Sequence, residues 1–177
     1  MTKTGVLALQ GDFAAHIAMM PGAVEVRTAP EIEPLDVLVI PGGESTTLLN
    51  LLVGSGIEEA TRRLLGRGGA VFGTCAGAIL LAKRVTHPEQ PSWGLIDIDL
   101  ERNAYGRQVD SFEAVLDTDY PAVFIRAPRI RRAGPGVEVL ARWNEEPVFV
   151  RQGRVFAATF HPELTEDRRI HDLVVKA

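Results

Sequence analysis

The chain has 177 residues, 46% hydrophobic and 6% aromatic, with a formal net charge of -4. That size supports one sizeable core and is short for two, so residues 1–177 are expected to form one domain. The charge gives no broad footprint for nucleic acid, no apolar run approaches the roughly 20 residues of a membrane span, and a lone cysteine excludes an intrachain disulfide.

The first residues enter a strand pattern, Val6 to Leu9, without a charged-then-apolar leader, which points to the cytoplasm. Asp12 to Met20 then allows a short helix of roughly 13 Å before Pro21-Gly22. His16 lies on it, as a contact to a partner or a residue facing solvent. Strands follow at Val24–Val26 and Val37–Ile40, then helical patterns from Leu48 to Leu52 and from Ile57 to Leu65. Ala70-Val71-Phe72 reads as the end of a buried strand and Ala78 to Ala82 as the first turns of a buried helix. This alternation of β and α is what parallel crossover units require.

The second half differs. Apolar runs at Ile96–Leu100, Val123–Ile125, Val137–Leu140, Val148–Val150 and Val155–Phe160 succeed one another, with turn signals at Gly134-Pro135-Gly136 and Gln152-Gly153. They predict antiparallel strands at one edge before a terminal helix from about Thr165. His87 and His171 read as ordinary loop and terminal-helix residues, and Arg126, Arg129, Arg131 and Arg132 as a solvated basic cluster. The only lysines are Lys3, Lys83 and Lys176, none in a pocket motif, so Schiff-base chemistry is not expected of this chain.

In an open α/β sheet the chemistry gathers at the carboxyl ends of the strands. Three loops there carry reactive residues: Pro41-Gly42-Gly43-Glu44-Ser45-Thr46, Gly73-Thr74-Cys75-Ala76-Gly77, and His161-Pro162-Glu163. Cys75 sits at a strand-turn-helix with glycines on both sides, where a nucleophile is lifted above the sheet and a helix N-terminus favours a thiolate. Taken alone it reads equally well as a small core residue. His161 and Glu163 are two apart with proline between, and in extended chain such residues share a face, so Glu163 could orient the imidazole toward Cys75; read singly, His161 is better explained as a strand-end histidine bonded to backbone and Glu163 as a surface residue. A metal reading of His-x-Glu lacks further ligands. The N–H groups of Gly43 and Ala76 are placed to form an oxyanion hole, although a diglycine turn is also an ordinary structural device. Ser45 and Thr46 are candidate caps for the helix containing Leu48.

Together these segments resemble the triad-type, class I glutamine amidotransferases. More narrowly, Leu9-Gln10-Gly11-Asp12, Pro41 to Thr46, Glu101 to Gln108, Phe124-Ile125-Arg126-Ala127-Pro128 and Phe160 to Thr165 resemble the glutaminase subunits of pyridoxal phosphate synthases, over nearly the whole chain. The resemblance implies an α/β fold, an open, mostly parallel, flavodoxin-like sheet flanked by helices. It implies hydrolysis of L-glutamine to glutamate by Cys75, His161 and Glu163, and delivery of ammonia to a synthase subunit that builds pyridoxal phosphate from phosphosugars. It also implies that Gly43, Glu44, Ser45, Arg102, Ile125 and Arg126 hold the glutamine, that no cofactor or metal is needed, and that partner docking arranges the oxyanion loop. Which arginine meets the substrate carboxylate is open. An elbow-cysteine peptidase or stress-response hydrolase of the same fold is argued against by the terminal His-Pro-Glu, and a non-catalytic docking subunit by the complete triad.

Overall fold

A computed structural model describes residues 2–104 and 111–177. In chain order the elements are β1 (Thr4–Leu7), α1 (Phe13–Met19), β2 (Val24–Val26), α2 (Ala29–Ile32), β3 (Val37–Ile40), α3 (Ser45–Leu52), α4 (Ile57–Gly66), β4 (Ala70–Thr74) and α5 (Ala76–Leu81). There follow β5 (Ala82–Thr86), β6 (Ile96–Glu101), β7 (Ser111–Val115), β8 (Pro121–Ile125), β9 (Arg129–Ala133), β10 (Glu138–Trp143), β11 (Glu146–Gln152), β12 (Val155–Ala158) and α6 (Arg169–Val175).

Among the described residues the main sheet has the order β10-β11-β12-β4-β3-β1-β2. The pairings β12–β4, β4–β3, β3–β1 and β1–β2 are parallel, and β10–β11 and β11–β12 are antiparallel. This is the mostly parallel, flavodoxin-like sheet with an antiparallel edge that the sequence implies, but of the later strands only β10, β11 and β12 join it: β6 and β8, expected at the same edge, lie in separate small sheets, β5-β6-β9 and β7-β8. The central strands are apolar throughout because both faces are covered: β3 and β4 are buried at every position. Leu38, Ile40 and Val71 face a core shared with Leu48, Leu64 and Leu80 of the helices on one side. Val39, Phe72 and Phe156 face the other side with Ile170 and Val174 of α6 and the partly buried Phe13 and Ile17 of α1. Helix α4 shows why it docks: its buried Ile57, Ala60, Thr61 and Leu64 fall at i, i+3, i+4 and i+7.

Several sequence expectations change. Helix α5 stops at Leu81 and β5 starts at Ala82, so the helical reading of Ala82 gives way to a strand that pairs with β6. The arginine cluster is not simply solvated surface: Arg131 pairs with Glu101, and Arg132 with Asp97 and Asp99, across the β6–β9 ladder, while Arg129 meets Glu146. Their alternation with apolar Ile130 makes β9 a strand whose charges find cross-strand carboxylates. Helix α3 is capped by neither Ser45 nor Thr46. Glu44 is the cap, its carboxylate accepting from the N–H groups of Thr46 and Thr47 at 3.1 and 2.7 Å. The terminal helix begins at Arg169, after a 3-10 turn over Pro162–Leu164.

Candidate functional site

The parallel strands end at one rim, and β3, β4 and β12 each hand over there to a loop carrying site residues. After β4 the chain turns sharply. Cys75 has φ 47 and ψ -105, a left-handed geometry that L residues seldom adopt, and the helix starts at the next residue. Two glycines make the bend possible. A Cβ on Gly73 would lie 2.6 Å from the Gly77 backbone, and one on Gly77 would lie 2.0 Å from the Ile40 carbonyl oxygen. The elbow is anchored by Cys75 N–H donating to the Ala158 carbonyl at 2.9 Å.

His161 follows β12 and is tied to β8 through its N–H, which donates to the Val123 carbonyl at 2.8 Å. Its Nδ1 lies 2.7 Å from Oε1 of Glu163, inside the protein. The contact was anticipated, but its local cause is different. Pro162 and Glu163 turn in a 3-10 helix, so the short spacing is closed by a turn rather than by strand alternation. Burial alone lowers the pKa of His161, yet hydrogen bonds to Cys75 and Glu163, together with their charges, raise it to about 10. The thiol and imidazole therefore face each other with the carboxylate behind. A Cβ on Gly42 would lie 2.5 Å from His161 Cε1 and 3.2 Å from Cys75 Cβ, so the first glycine of the β3 loop lies directly against the pair.

One cleft unites the sequence expectations. Gly43, Glu44, Ser45, Arg102, Ile125 and Arg126 all line it, together with Cys75 and His161. Ile79, Asn103 and Pro128 complete the lining and were not anticipated as site residues. Glu163 and Ala76 are buried beneath it. Arg102 lies 3.5 Å from Glu44. The Glu44 carboxylate is held to about 2, chiefly by the Thr47 N–H with burial opposing, so it stays ionised at neutral pH. Cys75 Sγ is 3.9 Å from the Ile125 carbonyl oxygen. The motif residues Tyr105, Gly106, Arg107 and Gln108 lie outside the described residues.

Sequence reasoning missed three further participants. Gln10, after β1, accepts from the Glu44 N–H at 3.0 Å and reaches the Gly42 carbonyl at 3.5 Å, so it props the diglycine loop. Its position at a strand carboxyl end was the available signal. His16, expected to meet a partner or solvent, and His171, expected to be an ordinary helix residue, are both wholly buried, and His16 lies 3.3 Å from Glu163. Nothing in the short helical patterns distinguished them, because both sit on helices of only seven residues.

A strained elbow cysteine, a buried histidine–glutamate pair and a diglycine loop at the rim of a flavodoxin-like sheet define the class: a triad-type amidotransferase. The family model for "SNO glutamine amidotransferase family" matches residues 6–177. A relative from Thermus thermophilus, named pyridoxal 5'-phosphate synthase subunit PdxT, is 54% identical, covering 94% of this chain and 93% of the relative. One of the same name from Solibacter usitatus is 51% identical, covering 98% and 97%. A solved structure described as a glutamine amidotransferase superposes with a TM-score of 0.91 at 50% identity, covering 98% of this chain and 97% of that one. The PurLQS structure from Thermotoga maritima, with a TM-score of 0.70 at 15% identity, shares the fold. This chain belongs to the SNO glutamine amidotransferase family.

Proposed function

We propose that this chain is the glutaminase subunit of a pyridoxal 5'-phosphate synthase, working in the cytoplasm as one domain. The observation that carries the reading is the convergence of Cys75, His161 and the six anticipated glutamine-binding residues on one cleft, in a family member about half identical to named PdxT subunits. Among the described residues no helix is long and apolar enough to cross a membrane, and no group of three or more His, Cys, Asp or Glu is placed to hold a metal ion.

With its proton already held on His161, Cys75 attacks the side-chain carbonyl carbon of L-glutamine as the thiolate of a thiolate–imidazolium pair. The oxyanion accepts from the N–H groups of Gly43 and Ala76, the latter at the N-terminus of α5. His161 returns the proton to the departing nitrogen, the C–N bond breaks, and ammonia leaves a glutamyl thioester. His161 then takes a proton from water, the hydroxide displaces the thiolate, and glutamate is released. Glu163 holds the imidazole in the required tautomer through the 2.7 Å contact. Arg102 and Arg126 bring positive charge for the α-carboxylate, and ionised Glu44 offers a partner for the α-ammonium group. The ammonia is consumed by the synthase subunit, because nothing in this cleft reads as a phosphosugar site.

Amide-labelled [15N]glutamine supplied to the chain and a synthase subunit tests the assignment. The label is expected in pyridoxal phosphate, is lost with Cys75→Ala, and is restored in that variant by labelled ammonium. Label entering the product through the Cys75→Ala subunit from glutamine would refute it.

A further inference from the structure

Beyond the triad, a second pair of imidazoles is buried against it. Helices α1 and α6 lie on the same face of the sheet, and both present a histidine to β4. His16 and His171 are fully buried, with ring centroids 6.5 and 6.2 Å from Phe72. Two residues further along the strand, on the same face, is Thr74, the residue before the elbow cysteine. His16 Nε2 lies 3.2 Å from Thr74 Oγ1 and 3.3 Å from Glu163 Oε2, the oxygen not used by His161. His16 Nδ1 lies 3.0 Å from His171 Nε2. The contacts run in one line: His161, Glu163, His16, His171.

Only one protonation pattern suits this line. Burial first, and for His171 the neighbouring His16 second, lowers both imidazole pKa values, so both rings are neutral and each has one N–H. If His16 carried its proton on Nδ1, His171 Nε2 would have to accept it and the His171 proton would move to Nδ1. That nitrogen has no hydrogen-bond partner among the described residues, so a donor would be buried without an acceptor. The bare Nε2 of His16 would also face the Glu163 carboxylate. The alternative leaves a lone pair on His171 Nδ1 and turns an N–H toward Thr74 and Glu163. The hydrogen is aligned better on the Thr74 hydroxyl than on Oε2, which has no aligned donor of its own, so the contact to the carboxylate is electrostatic.

We propose that His16 and His171 are positioning residues of the triad, both protonated on Nε2, with His171 fixing the tautomer of His16 and His16 pinning the far oxygen of Glu163 so that its near oxygen stays on His161. This rests on the glutaminase reading of Cys75, His161 and Glu163. Apolar side chains fill a core more cheaply than neutral imidazoles do, and this pair sets the positive end of the His16 N–H dipole 3.3 Å from the second oxygen of the buried carboxylate. Without it Glu163 can rotate, and the imidazole loses its aim at the cysteine sulfur. Groups that orient a reacting residue's partner in this way change rates by roughly 10- to 100-fold.

Two measurements test the proposal. In the unmodified protein, nitrogen NMR of the imidazoles at pH 7 is expected to show His16 and His171 neutral and carrying the Nε2 proton. An Nδ1 proton or a cation at either residue overturns the proposal. In the complex with the synthase subunit, His16→Leu is expected to lower kcat for glutamate release about tenfold or more with KM for glutamine unchanged. His16→Gln, which keeps an N–H donor, is expected to recover most of that loss. Wild-type kcat in a folded His16→Leu protein, or an equal loss in His16→Gln, overturns it. Absence of Cys75-dependent glutamate release from the wild type would instead refute the glutaminase reading, and the tautomers would still decide the histidine pair.

Discussion

Cys75 sits at φ 47 because glycines at positions 73 and 77 let two backbones pass within contact of each other, and the same tightness sets what mutation does there. Glu163→Gln keeps the shape but loses the carboxylate that fixes the His161 tautomer. It is expected to lower kcat by roughly 10^2- to 10^4-fold with little change in KM, measured by glutamate release in the complex. Gly42→Ala puts a methyl group 2.5 Å from His161 Cε1 and is expected to reduce kcat while the protein remains folded, checked by steady-state kinetics beside circular dichroism. The residues proposed to react were legible in the sequence because each is flagged by a turn signal, glycine around Cys75 and proline beside His161. Gln10, His16 and His171 were not, since their roles arise from burial and cross-element contacts that no local spacing records.

Elements with strong local signatures agree with the sequence reading, and those decided by packing do not. Strand β3 occupies Val37–Ile40 as expected, because a buried parallel strand is an unbroken apolar run, and the edge strand β2 keeps its expected Val24–Val26 although Glu25 interrupts it and only Val26 is buried. Strand β9 escaped notice because its arginines read as surface until the carboxylates of β6 come beside them. Helix α2 is four residues long, too short for periodicity to show, although its Thr28–Glu31 capping box is a local signature. Packing at the α5–β4 junction predicts that Gly77→Ala destabilises the protein by about 1–3 kcal/mol, because the added Cβ meets the Ile40 carbonyl of a central strand rather than a movable side chain; denaturant unfolding checks this. The histidines joining α1 to α6 predict a pH effect. The pKa of His171 is held at about 3 in the folded state, against about 6.5 unfolded, so below pH 6.5 the unfolded chain takes up a proton that the native protein refuses. Stability is therefore lost as pH falls through that window, by about 1.5 kcal/mol from this one residue between pH 6.5 and 5. A folded His171→Phe variant is expected to lose correspondingly less over the same range, and parallel stability curves for the two proteins would contradict this.

At the scale of the whole molecule, the loop after β1 and helix α1 touch both halves of the site. Gln10 holds the Gly42-Gly43-Glu44 backbone, and six residues on His16 reaches Glu163. A trans peptide sets the Gly43 N–H opposite the Gly42 carbonyl, which is turned toward Gln10, so a shift in this loop would re-aim the proposed oxyanion donor. Gly43 has φ 140, a conformation in which glycine alone turns without strain. A partner that presses on this region can thus alter catalysis without contributing a reacting group, which is the physical basis for expecting the isolated chain to be a weak glutaminase. The measurement that bears most directly on the account is glutamate release from L-glutamine by the purified chain, with and without a pyridoxal phosphate synthase subunit, against Cys75→Ala. Release that requires Cys75 and rises when the synthase subunit is added is the expected result. No release under either condition, or equal release by the Cys75→Ala protein, would contradict it.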